Sequence, residues 1–301
     1  MADLAPLLEN LITKYALKGR EIFVETEIPS VRFFQSCETT PRTPLVYEPG
    51  IVIICQGSKT GYLGNEVYHY DSQHYLLLTA PMPFECETEA SAEDPLLGLF
   101  IDIDLSQLHK LVHLMATHQS AHVLTENRLP ESVAAIPWDD QMTDIIQRLL
   151  KSLNSELEAQ VLGPGLVNEL LYNILCSQHG QSLYALAKHE GHYARIAKVM
   201  GRIHKEYAHP YTVEELASQA GMSVSAFHRA FKQVTKQSPL QYLKKIKLFK
   251  AKGLIIHEGL SVSVAADRVG YESVSQFSRE FKRLFSVAPS HSKDVGYAEL
   301  N

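Results

Sequence analysis

Cysteine is scarce in this chain of 301 residues, and the four present, Cys37, Cys55, Cys86 and Cys176, are widely spaced. With no Cys-x-x-Cys pair and no Cys/His run, a zinc module is excluded as the organising device. No apolar run approaches the length of a membrane span, and the amino-terminal MADLAPLLENLITKYALKGR lacks the apolar core of a signal peptide. Both absences predict a cytoplasmic chain with no membrane partner. The motifs of common catalytic folds are missing too: no Gly-x-Ser-x-Gly, His-Glu-x-x-His, P-loop or dinucleotide fingerprint occurs. Overall positive charge is also lacking, the formal net charge being −6. Its distribution is lopsided, however. Between Arg195 and Asn301 there are 17 Lys and Arg against 9 Asp and Glu, whereas the rest of the chain carries 11 against 25. A basic segment behind an acidic one is the electrostatic footprint of a nucleic-acid module joined to another domain. The length suggests two domains, and an apolar content of 45% suffices for proper cores.

What is present is an internal repeat. Residues 224–239 read VSAFHRAFKQVTKQSP and residues 274–289 read VSQFSREFKRLFSVAP, sharing Val, Ser, Phe, Arg, Phe, Lys and Pro at an offset of 50. Upstream, LASQAGMS and AADRVGYES keep an Ala-x-x-x-Gly core with one residue inserted. Each unit predicts helix, tight turn, helix. Thr212 and Glu215 have capping-box spacing at a helix start. Ala217 and Ala266 are small where helices cross, and Gly221 and Gly270 suit the positive φ of a helix C-terminus. Phe227 and Phe231, like Phe277 and Phe281, are four apart and predict a buried face that leaves the intervening polar residues outward.

The region from about Ala194 to Pro289, above all GYESVSQFSREFKRLFSVAPS, resembles the DNA-binding domain of the AraC/XylS family of bacterial transcription regulators. The stretch SPLQYLKKIKLFKAKGLI resembles that family's linker helix. The resemblance covers about a third of the chain and implies binding to double-stranded promoter DNA. A recognition helix presents its N-terminal residues to base edges in the major groove. The family's reading positions fall in register on Ser225, His228 and Arg229 in the first unit, and on Val274, Ser275, Ser278 and Arg279 in the second. Arginine can donate two hydrogen bonds to guanine, Ser and His can serve bases or phosphates, and Val can meet a thymine methyl. Lys232 and Lys282 are expected on phosphates. The remaining linker lysines, Lys244, Lys245, Lys247, Lys250 and Lys252, are expected to form a solvated helix face. Two reading helices on one rigid linker would enter successive major grooves about 34 Å apart, so that one chain reads an asymmetric bipartite site.

Ahead of this region, apolar spacing predicts a helix over residues 3–18. From Glu21 to about Asp104 short β-branched and aromatic runs are cut by Pro and Gly, predicting strands in EIFVETEI, VRFFQS, residues 49–71, residues 74–90 and PLLGLFIDID, with hairpin turns at Gly57-Ser58-Lys59 and Gly64-Asn65-Glu66. Two amphipathic helices follow at residues 105–118 and 138–160, and a third after Pro164-Gly165 with Leu166, Leu170, Leu171 and Ile174 on one stripe. A second, exposed apolar stripe there would favour a homodimer. Residues 25–187 resemble the cupin-like N-terminal effector domain of one branch of the same family. The expected fold is therefore α+β: a cupin-like β-barrel with flanking helices (residues 1–190), then an all-α domain of two helix-turn-helix units joined by a linker helix (191–301).

Cupin-like barrels can hold metal, and His69, His74 and Glu85 are the candidates for a metal-dependent enzyme with an appended DNA-targeting domain. No His-x-His pair occurs, so the spacing departs from the cupin metal pattern; no metal ligands, catalytic residues or cofactor are expected. A small-molecule effector in the barrel is favoured, with Tyr47, Cys55, Tyr62, Tyr68 and His74 as polar groups in an apolar lining. Cys55 also permits a thiol sensor. The resemblance further implies an activator that contacts RNA polymerase.

Overall fold

The computed structural model describes residues 4–17, 22–118, 131–187 and 191–292. Helix α1 (Ala5–Lys14) precedes nine strands: β1 (Ile22–Glu25), β2 (Val31–Ser36), β3 (Thr40–Tyr47), β4 (Gly50–Gln56), β5 (Ser58–Leu63), β6 (Glu66–Asp71), β7 (His74–Leu78), β8 (Met82–Glu89) and β9 (Leu96–Asp102). Next come α2 (Leu105–Thr117), β10 (Val133–Pro137), α3 (Asp140–Leu153), α4 (Glu156–Cys176) and α5 (Gln181–Ala187). The last part is helical: α6 (His192–Lys205), α7 (Val213–Gln219), α8 (Val224–Thr235), α9 (Pro239–Ile256), α10 (Val262–Arg268), α11 (Val274–Phe285) and a 3-10 turn at Pro289–His291. The expected ends of the first helix at Lys18 and of the first strand at Glu21 lie outside the described residues. So does Glu190, on one side of the expected domain division.

All strand pairings are antiparallel, in the order β1-β2-β9-β4-β7-β6-β5-β8-β3, with β10 beside β7. The sheet curls into a half-barrel. Because side chains alternate along a strand, neighbouring residues join different cores. Phe33, Ile51, Ile53, Leu77, Leu99 and Ile101 pack under α1, α3 and α4. Phe34, Val52, Ile54, Leu76, Leu78 and Phe100 fill the concave side. Burial on both faces explains why these strands are nearly continuous apolar runs. Gly98 lets β9 lie close to its neighbours, since a Cβ there would sit 2.3 Å from the Ile53 carbonyl oxygen.

Several expectations change in three dimensions. β3 and β10 were not anticipated. Pro41 and Pro44 argue against a strand, yet β3 ends the sheet order and its register slips between Thr40 and Thr43, the edge setting that tolerates proline. Gly64 does turn the β5–β6 hairpin, with φ of +63°, and Leu63 pairs with Glu66. Gly57 also has positive φ, but β4 pairs with β7 and β9 while β5 pairs with β6 and β8, so it turns a corner rather than a hairpin. The helix expected over 138–160 divides where Ser155 caps a new helix by accepting from the Glu158 amide. That helix, α4, runs through Pro164, and Gly163 lies so close to Ile28 that a Cβ would approach its Cγ1 to 2.4 Å. Leu166, Leu170, Leu171 and Ile174 are buried, whereas Leu157 (71% exposed), Val161 (66%) and Tyr172 face outward.

The linker helix α9 is apolar on more than one side. Tyr242, Leu243 and Ile246 join the concave-side core, while Leu248, Ala251, Leu254 and Ile255 join a third core with Phe277, Phe281 and Phe285. One helix therefore ties the sheet to both helical units.

Candidate nucleic-acid interface

Each repeat folds as a helix-turn-helix, α7–α8 and α10–α11. The turns contain Gly221 (φ +62°) and Gly270 (φ +77°), the left-handed conformation that glycine adopts without Cβ strain. At the start of α7, Thr212 accepts from the Glu215 amide, but the Glu215 carboxylate turns to His209 at 3.2 Å instead of closing a reciprocal cap. A complete capping box occurs at α9, between Ser238 and Gln241. The second helices of the two units, α8 and α11, share further detail. Each begins at a serine, Ser223 or Ser273, whose side chain accepts from an amide three residues on. Each ends at a left-handed residue, Lys236 or Ser286. The rings of Phe227 and Phe231 lie 5.4 Å apart, those of Phe277 and Phe281 5.5 Å, and all four are buried.

The Phe pairs orient the opposite faces outward. Ser225, His228, Arg229 and Lys232 are exposed along α8; Val274, Ser275, Arg279 and Lys282 are exposed along α11, with Ser278 half-buried among them. Among the described residues, neither Arg229 nor Arg279 has a carboxylate partner, unlike Arg148, Arg202 and Arg268. The two guanidinium groups are left available to an external acceptor. Val224, the register partner of Val274, is equally exposed at 42%. The internal repeat carried that signal, and Val224 joins the candidate face.

The linker lysines do not form the expected solvated face. Lys247 is buried and donates to the Gly270 carbonyl at 3.3 Å, at the end of α10. Lys252 is buried with its ammonium 4.5 Å from the centre of the Phe285 ring. Lys244 pairs at 2.9 Å with Glu280, which also accepts from Tyr271 and Gln276. Burial alone would raise the Glu280 pKa, but these donors hold the carboxyl below its usual range. Lys245 is half-buried toward Glu85, and Lys250 remains exposed. Long apolar stems let lysines cover such surfaces while their heads find acceptors; here they fasten α11 to α9.

The first unit also meets the sheet. Tyr242 Oη donates to the Pro81 carbonyl at 2.7 Å, Ser132 Oγ donates to the Val234 carbonyl at 2.6 Å, and the hydroxyls of Thr79 and Tyr193 hydrogen-bond to each other, all buried. Lys236 pairs with Glu131 at the rim.

The five candidate effector residues do not converge on one cavity. Tyr47 and Tyr68 flank Phe84 on the concave side, with the Tyr47 hydroxyl 2.9 Å from that of Tyr70 and the Tyr70 hydroxyl 3.3 Å from the Cys86 sulfur. Tyr47, Phe84, Tyr70 and Cys86 are buried together, with Tyr68 half-buried against them. Cys55 lies on the opposite sheet face, where the β4–β9 register slips. Tyr62 donates to Glu87 at 2.6 Å under the Arg42 guanidinium. His74 pairs with Asp71 on the β6–β7 hairpin. One-residue alternation thus scatters residues that lie near one another in sequence. The metal candidates are separated as well: His69 meets Thr60, His74 meets Asp71, and Glu85 pairs with Arg42.

Burial pushes the Cys55 thiol up to about 12 and raises that of Cys86, the reverse of what a reactive thiolate requires. In the native protein, a brief iodoacetamide pulse at mildly alkaline pH is expected to alkylate the exposed Cys176 and spare Cys55 and Cys86. Peptide mass spectrometry reads the sites, and rapid alkylation of Cys55 would restore the thiol-sensor idea.

The family model described as AraC-type transcriptional regulator N-terminus matches residues 27–182, and a helix-turn-helix domain model matches residues 216–294. The transcriptional regulator AlkR of Acinetobacter baylyi is 36% identical over 96 residues, 32% of this chain and 31% of that one. RclR of Escherichia coli, an RCS-specific transcriptional activator, is 28% identical over 60% of this chain and 66% of its own. The chain thus spans about a third of AlkR and just under two thirds of RclR. ToxT of Vibrio cholerae shares the fold, with a TM-score of 0.56 at 13% identity over 88% of this chain and 97% of that one. No helix among the described residues is long and apolar enough to cross a membrane. The first family model alone covers more than half of the sequence, and the chain belongs to the AraC-type transcriptional regulators.

Proposed function

We propose that this protein is a sequence-specific DNA-binding transcription activator controlled by a small-molecule effector, with residues 1–190 as sensor and 191–301 as reader. The observation that carries this reading is the pair of register-equivalent helices α8 and α11, each presenting an arginine with no carboxylate partner among the described residues, from a face fixed by two buried phenylalanines. Ser225, His228, Arg229, Val274, Ser275, Ser278 and Arg279 read bases; Lys232 and Lys282 hold phosphates. The clamp of α11 on α9 supports a fixed spacing between the two half-sites. Effector control is supported by the merged core between the sheet and the first unit, through which a ligand could bias reader geometry. A solved ToxT carries an unsaturated fatty acid, and only the holding of a small molecule is carried over to this chain. The protein acts in the cytoplasm, contacts RNA polymerase and has no enzymatic activity of its own. The exposed apolar face of α4 supports a homodimer.

The test is fluorescence anisotropy of the full chain with promoter DNA upstream of its own gene and scrambled DNA of equal length, across a salt series. Tight binding to the promoter with a shallower salt dependence of the discrimination than of binding itself is expected, because phosphate contacts carry the salt term. Equal, salt-sensitive binding to both would withdraw the reading.

A further inference from the structure

The two helix-turn-helix units repeat in sequence, yet their turns are held differently. At the first turn, a Cβ on Gly221 would meet only Arg195 Nη1, at 3.6 Å, among the described residues. The second turn is closed in. A Cβ on Gly270 would stand 2.3 Å from the Ala208 carbonyl oxygen and 3.1 Å from Lys247 Nζ. Ala208 belongs to the loop between α6 and α7, so the segment that leads into the first unit rests against the turn of the second. Its neighbour Tyr207 packs against both the core that holds Phe227 and Phe231 and the core that holds Phe277 and Phe281.

One carboxylate gathers this joint. Glu280 Oε1 accepts from Lys244 of α9 at 2.9 Å and from Gln276 at 3.2 Å, while Oε2 accepts from the Tyr271 hydroxyl at 2.8 Å. The Glu280 side chain is only 14% exposed. Tyr271 follows the turn glycine, and its ring meets Phe277 edge-on at 5.3 Å. The linker helix, the turn and α11 are thus tied through one group, by hydrogen bonds to a charged acceptor that are stronger than neutral ones. The repeat shows that this group is an addition to the helix-turn-helix pattern. At the offset of 50, Glu280 answers Ala230, and the residue after the turn glycine is Met222 in the first unit. An alanine and a methionine cannot make this bond.

We propose that Glu280 is a positioning residue that sets which separation of the two DNA half-sites the protein accepts, by fixing α11 against α9 through Lys244 and Tyr271. The inference rests on the DNA-reading function proposed above and deepens it, naming the arrangements of half-sites that are rejected. Adding one base pair between half-sites moves the second by about 3.4 Å and turns it by about 34° around the duplex. A second unit held rigidly cannot follow that displacement, whereas one that pivots on α9 can.

The experiment is anisotropy of the full chain with its own promoter fragment, the half-sites being placed first by a base-substitution series. Three fragments follow: the native separation, one base pair inserted, and one removed. The wild type is expected to bind the altered fragments roughly tenfold or more weakly than the native one, the cost of losing contacts at one half-site. Glu280→Ala, which gives the second unit the residue of the first, should bring the three fragments to similar affinity. Tyr271→Phe, which loses only the hydroxyl, should fall between, and Glu280→Gln, which keeps an acceptor oxygen, should recover part of the wild-type ratio. A lost negative charge acts on every phosphate backbone alike, and so shifts all three affinities together and leaves their ratio in place. Hydrogen exchange checks that α11 stays protected; where Glu280→Ala costs that protection, Tyr271→Phe carries the test. Equal binding of the three fragments by the wild type overturns the proposal, as does an unmoved ratio in the variants. Specific promoter binding with an unmoved ratio removes only the role of Glu280. Equal binding of promoter and scrambled DNA by the wild type removes the regulator reading, and the spacing role with it.

Discussion

Replacing Arg279 by Ala is expected to weaken binding to the specific promoter fragment by about 1–3 kcal/mol, roughly five- to 150-fold, while scarcely changing binding to scrambled DNA. Arg279 lies on the exposed face of α11 with no carboxylate partner among the described residues, so truncation releases no internal ion pair and costs little stability. Arg229→Ala should act equally at the other half-site. Because the two arginines sit on separate helices, the losses should add in the double variant. Lys282→Ala makes the contrasting control. It should weaken promoter and scrambled DNA alike and lower the salt slope by about one phosphate contact. Anisotropy against a half-site substitution series distinguishes the two outcomes. If Arg279→Ala lowers affinity for every sequence by the same factor, Arg279 is a phosphate contact and base readout must be reassigned within α11.

Phe281→Ala is expected to have the largest effect on stability, about 3–5 kcal/mol by lost burial and the cavity left behind. Phe281 is fully buried, with Phe277 at 5.5 Å and Phe285 at 4.5 Å between ring centres. Its core is small, held by the C-terminal half of α9, α10 and α11, and distinct from the two cores that sandwich the sheet. The damage should therefore stay local. Hydrogen exchange should show the amides of α10 and α11 losing protection while β4 and β9 keep theirs, since opening follows cooperative units. Promoter binding should fall to that of one half-site. Unchanged exchange in α11 would mean that Phe281 is not the keystone of the second unit.

The lysines of α9 show how position in the fold overrides composition. Five lysines in a short helix suggest a wet face, yet Lys247 and Lys252 are buried and spend their charge on a carbonyl and an aromatic ring. Their targets, Gly270 and Phe285, are 23 and 33 residues away in sequence. No local window relates them.

The reader was legible in the sequence because helix-turn-helix units are built from near neighbours. Four-residue Phe spacing and a glycine at the turn each act within a few positions, and the repeat doubled both signals. The half-barrel was legible as alternation and turn residues, though β3 was hidden by its prolines and β10, reading VAAIP, by its alanines and closing proline. The candidate effector residues were not legible as a site, because a one-residue step moves a side chain to the other face of a sheet: Ile54 faces the concave core and Cys55 the core under the helices. The brace around Glu280 was beyond reach for a related reason. Its donors come from α9, the α10–α11 turn and α11, and the loop before α7 rests on the same turn, a meeting that depends on packing between distant segments. Local order determined the two helix-turn-helix units; only the tertiary structure decided where the sheet touches them.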